Sequence, residues 1–92
     1  MELRFEWDPE KGERNFVKHG VLFDEARTVF ADPLGKIVED SRHSLKEQWF
    51  VLLGHSHHER LLAVMFTDRS ETIRLISARQ ASHRERREYE KG

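Results

Sequence analysis

The sequence predicts one small α+β domain, and three observations carry that reading. A proline-initiated helical stretch and a second helical stretch follow one short alternating segment at the N-terminus. Four segments of strand length then lie between Lys36 and Ala78, each within hairpin distance of the next. Finally, 92 residues with 37% hydrophobic and 36% charged side chains suit a single folded domain over residues 1–92. Such a chain buries roughly 60–65% of its unfolded surface, enough for a modest core.

At the N-terminus, Leu3, Phe5 and Trp7 alternate with Arg4, Glu6 and Asp8, the period of a half-buried strand. Asp8-Pro9 is a helix start, because Asp caps well and Pro costs nothing at the first helical position. The helix is expected over Pro9–Lys18, with Gly20 as C-cap. A second helix is expected over Leu22–Phe30, where Leu22, Ala26, Val29 and Phe30 share a face and Asp24 and Glu25 occupy the first turn. Asp32-Pro33 breaks the chain and Leu34-Gly35 turns it.

The period then changes. Short strands are expected at Lys36–Glu39 and Trp49–Leu53, joined by the polar connection DSRHSLK of residues 40–46. Gly54–Glu59 is a polar turn holding three histidines. Leu61–Phe66 is apolar on both faces and is the best candidate for a central strand. Asp68-Arg69-Ser70 forms a hairpin turn into a strand over Thr72–Ala78. Ser82 followed by Glu85 is a capping box opening a final helix, His83–Glu90, that is polar nearly all round and adds little to a core. The expected order is β-α-α-β-β-β-β-α, a largely antiparallel sheet with the two early helices on one face.

Composition removes several classes of function. With no cysteine, disulfides and thiolate chemistry are excluded. The N-terminus has no apolar core of signal-peptide length, and the longest apolar run, Leu61–Phe66, is far below the ~20 residues of a membrane span. A cytosolic protein is the expectation. The net charge of −1 hides a split. Residues 1–40 carry six basic and ten acidic side chains, whereas residues 69–92 carry seven basic and four acidic. This is either an ordinary solvated surface or two functional faces, a basic one for phosphate and an acidic one for protein.

The strongest chemical signal is the arginine set Arg74, Arg79, Arg84, Arg86 and Arg87, whose planar forks suit phosphate. Arg84 falls in a first helical turn, where backbone N–H groups also favour an anion. The alternative is a solubilising face balanced by Glu85, Glu88 and Glu90. Lys18-His19, at the end of the first helix, could move a 2′-hydroxyl proton and stabilise a charged phosphorane. The plainer reading of the pair is that both residues favour a helix C-terminus electrostatically. His55, His57 and His58 fit no zinc pattern, so no metal site is expected. There is no phosphate loop, HExxH or nucleophile elbow.

Two stretches resemble a known family. FEWDPEKGERNFVKHGVLFDEARTVFADP is similar to the N-terminal signature of BrnT-family toxins, and TIRLISARQASHRERREYE to their C-terminal signature. The resemblance spans about Phe5 to Glu90. It implies a RelE-like fold and a ribonuclease toxin of a type II toxin–antitoxin pair. It also implies RNA cleavage by 2′-hydroxyl attack without a metal or cofactor, and inhibition of translation. The implied partner is a BrnA-like ribbon-helix-helix antitoxin, with operator DNA bound indirectly through it. Lys18, His19 and Gly20 match the family's KHG element. Ser77, Ala78 and Arg79 match SAR, and Glu85, Arg86, Arg87, Tyr89 and Glu90 match ERRxYE. The resemblance thus points to Lys18, His19 and Arg79 as catalytic, and to Arg60, Arg74, Arg84 and Tyr89 as RNA contacts, with Tyr89 a possible stacking ring. Asp8, Asn15 and Phe23 look structural. A net charge of −1 makes RNA affinity local unless the basic face is continuous. A nucleic-acid-binding or protein-interaction module without turnover is the competing reading.

Overall fold

A computed structural model describes residues 3–40 and 48–91 of the chain. The expected connection at residues 40–46, with His43, lies outside them apart from Asp40. The element order is β1 (Arg4–Glu6), α1 (Pro9–His19), α2 (Phe23–Ala26), a 3-10 helix (Arg27–Ala31), β2 (Lys36–Asp40), β3 (Trp49–His55), β4 (Leu61–Arg69), β5 (Thr72–Gln80) and α3 (His83–Glu90). The expected order is therefore present. The second helix, however, is α-helical for only one turn. Thr28 donates its hydroxyl to the Glu25 carbonyl at 2.7 Å, and the chain tightens into the 3-10 form from Arg27.

The helix ends follow from local chemistry. The Asp8 carboxylate accepts from the Glu10 N–H at 2.9 Å, with Pro9 beside it at the start of α1. Gly20 takes φ +71°, the left-handed conformation, and donates its N–H to the Phe16 carbonyl. Ser82 and Glu85 complete a reciprocal capping box on α3.

The five strands form one sheet in the order β1-β5-β4-β3-β2. The pairings among β2, β3, β4 and β5 are antiparallel, and β1 lies parallel to β5. β4 is central, as its all-apolar run predicts. Leu52, Leu62, Val64, Phe66, Leu75 and Ala78 bury one sheet face against Val21, Phe23, Ala26 and Val29. Phe5, Phe30, Phe66 and Phe50 continue this layer as a chain of ring contacts, with centroids 5.0–5.5 Å apart. Close approach of the 3-10 segment to β3 needs Gly54, since a Cβ there would sit 2.9 Å from Val29.

Candidate functional site

Strand alternation sorts the charges. The core residues of β4 and β5 face the helices, so their neighbours in sequence face away. Every Lys and Arg within a described strand, namely Arg4, Lys36, Arg69, Arg74 and Arg79, occupies a position on this second face. One irregularity makes this possible. Arg74 and Arg79 are an odd number of residues apart, which in a regular strand puts them on opposite faces. Met65 pairs with Ser77 but Phe66 pairs with Leu75, so Ile76 is an extra residue, a β-bulge. The bulge keeps Leu75 and Ala78 in the core and returns Arg79 to the face of Arg74.

Asn15 fixes where α1 ends. Its buried side-chain amide donates to the carbonyls of Val21 and Ala78 and accepts from the Ala78 N–H, at 2.9–3.0 Å. β1 pairs with β5 only over Thr72–Arg74, so the amide occupies the edge of β5 beyond β1. Lys18 and His19 lie three and four residues on, hence on the same side of α1. The last turn of the helix is thereby set beside the end of β5 that carries Arg79. Lys18 is exposed and His19 half-buried.

Arg60 joins the same corner from the β3–β4 turn. It donates to the Gly20 carbonyl at 3.1 Å, and its Nε reaches the Glu25 carboxylate at 2.9 Å. Glu25 is buried and also accepts from the Ser56 hydroxyl at 2.6 Å. The Arg60 hydrogen bond, more than offsetting burial, holds the Glu25 carboxyl down at about 2, and the Ser56 bond and the Arg60 charge add to this. Glu25 in turn raises Arg60.

Arg79 forks onto Glu85 through two bonds, at 2.6 and 3.0 Å. Glu85 is lowered, first by Arg79 and against burial, with Ser82 contributing. Arg74 sits five residues back along β5, paired with Glu6. Arg84 is exposed on α3, where the capping box already uses the Glu85 N–H.

Tyr89 is occupied differently from a free stacking ring. Its hydroxyl donates to the Asp32 carboxylate at 2.6 Å and lies 3.2 Å from His55 Nδ1. The His55 and Tyr89 rings meet edge to face at 5.1 Å. Burial pushes the Tyr89 hydroxyl up to about 12, helped by the neighbouring Asp32. Burial would raise Asp32, but bonds from Tyr89 and from the His55 and Leu34 N–H groups leave it lowered. With the Lys36–Glu88 pair at 3.2 Å, these contacts dock α3 over the second sheet face at the end occupied by Arg79. The sequence treats α3 as polar and nearly coreless. No α3 residue is buried, and the docking is made by these polar contacts.

The Asn15 and Arg60 bonds set the end of α1, with Lys18 and His19, near the strand end that carries Arg79. Arg84 and Tyr89 lie on α3, which docks at that strand end, and Arg74 lies five residues back along β5. Asp32, His55 and Glu85 are partners that the sequence reading did not single out for the site. The Glu85 partnership had a local cue, the capping box. Among the described residues no group of three or more His, Cys, Asp or Glu side chains is arranged to hold a metal, and no helix is long and apolar enough to cross a membrane.

A five-stranded sheet with α1 and α2 on one face, and α3 and the strand cations on the other, defines a small α+β domain with the fold of a solved ribonuclease toxin. The 1.1 Å crystal structure of the Brucella abortus ribonuclease toxin BrnT superposes with a TM-score of 0.69 at 21% identity, over 89% of this chain and 100% of that one. No curated protein matches the chain. The profile of the family described as ribonuclease toxin, BrnT, of type II toxin-antitoxin system matches residues 7–85. The chain belongs to the BrnT family, the ribonuclease toxins of type II toxin–antitoxin systems.

Proposed function

We propose that the chain is a cytoplasmic, metal-independent endoribonuclease whose cleavage of RNA slows translation. A BrnA-like ribbon-helix-helix antitoxin neutralises it, and the complex represses its own operon through operator DNA. The observation that carries the RNA reading is the common face of Arg4, Lys36, Arg69, Arg74 and Arg79. It gives a chain of net charge −1 several cations on one sheet face for a phosphate backbone.

In the proposed chemistry the 2′-hydroxyl loses its proton to His19 and attacks the adjacent phosphorus. The P–O5′ bond breaks, and the 5′-oxygen leaves with a proton supplied by a general acid or water. Lys18 and Arg79 stabilise the charge that grows on the non-bridging oxygens. Arg60, Arg74 and Arg84 extend the RNA contact, and Tyr89 contributes only as far as its bonds to Asp32 and His55 permit. Support comes from the family's activity and from the Asn15 bonds that set the end of α1 beside β5. Induced expression tests the reading in cells. Wild type arrests growth and Arg79→Ala does not, while arrest by both variants or by neither contradicts it.

A further inference from the structure

The helix side of the molecule carries its own exposed apolar side chains. Phe16, Val17 and Leu22 are large and apolar yet 48%, 87% and 52% exposed. They stand together where α1 ends and α2 begins. With Trp7 they line a groove of about 470 Å³ between the two helices. The charged residues of its lining are Glu13 and Asp24, both acidic and exposed. Asp24 also meets Arg27 at 3.5 Å, in an exposed pair that water screens.

We propose that this groove docks the antitoxin, through a segment whose apolar side chains are flanked by Lys or Arg. The proposal rests on the toxin–antitoxin reading above and adds to it the contact surface and the chemistry of the partner segment. Exposed apolar side chains around a groove gain from burial by a partner, and the acidic walls select one with a cationic flank. The same walls argue against other occupants. RNA would meet carboxylates there, and a second copy of this chain would bring Glu13 and Asp24 against their own counterparts. Val17 adjoins Lys18, so a segment anchored in the groove can continue past the end of α1 toward the Arg79 corner.

The test uses the intact chain and the purified small protein encoded beside it, with affinity measured by titration calorimetry. Val17→Glu changes a side chain that is almost fully in solvent, so the variant folds. It is expected to weaken binding at least about tenfold. The double variant Glu13→Lys, Asp24→Lys also weakens binding, with the larger loss at low salt. Affinity within about twofold of wild type in both variants overturns the docking surface and leaves the toxin reading standing. A wild type that does not bind the neighbouring protein overturns both. A dimer of the chain alone that Val17→Glu dissolves assigns the groove to a second copy and overturns the proposal.

Discussion

Asn15 bonds through its side chain to both backbone groups of Ala78, as a neighbouring strand residue would. One helical side chain thus extends the ladder where β1 stops, and it sets α1 against β5. Asn15→Ala leaves the Val21 and Ala78 groups without these partners. A stability loss of about 3 kcal/mol is expected in urea unfolding. Cleavage should fall as well, because Lys18 and His19 follow in the same helix.

The local parts of this arrangement were legible in the sequence. Asp8-Pro9, Gly20 and Ser82 with Glu85 mark helix ends through bonds spanning a few residues, and the apolar run of β4 marks the central strand. The parallel pairing of β1 with β5 was not legible, since alternation sets a strand's faces but not its neighbour. Nor was the bulge at Ile76, although it alone puts Arg74 and Arg79 on one face. The Glu25–Arg60 and Asp32–Tyr89 contacts join residues far apart in the chain, and composition and spacing carry no trace of them. Lys18, His19 and Arg79 could be named from family motifs. The Asn15–Ala78 bonds, which set the end of α1 against β5, are shown only by the fold.

Arg60 neutralises a buried carboxylate, so its removal strands Glu25. Arg60→Ala should cost about 3–5 kcal/mol. Arg60→Ala combined with Glu25→Gln should recover much of it, because no buried charge is left alone. Chemical unfolding of the three proteins checks this. A single variant as stable as wild type would place Arg60 among surface contacts instead.

Glu25 also sets a pH dependence. Its folded pKa of about 2 lies below the ordinary 4.5, so the unfolded chain takes up its proton first as pH falls. The contribution is fully present above pH 4.5 and is lost as pH drops toward 2. Its size is on the order of 3 kcal/mol. Asp32 and Glu85 are lowered too and act in the same direction. Unfolding free energy measured across this window should fall steeply in wild type and less steeply in Glu25→Gln.

Tyr89→Phe keeps the ring and removes the hydroxyl that binds Asp32. A loss of roughly 1.5–3 kcal/mol is expected, as for a hydrogen bond to a charged group. Faster amide exchange in α3 should accompany it. RNA affinity that falls only in Tyr89→Ala would assign stacking to the ring. A Tyr89→Phe protein as stable as wild type would contradict the docking role of the hydroxyl.

The most direct test of the central claim is cleavage of RNA, free and ribosome-bound, by the purified chain in excess EDTA. Wild type should cut, and Lys18→Ala and Arg79→Ala should each lose at least about a hundredfold in rate, the scale of a lost general acid–base or electrostatic contribution. Wild type that leaves both RNAs intact would contradict the activity. Variants that cut as fast as wild type would remove the corner formed by α1 and β5 from the chemistry.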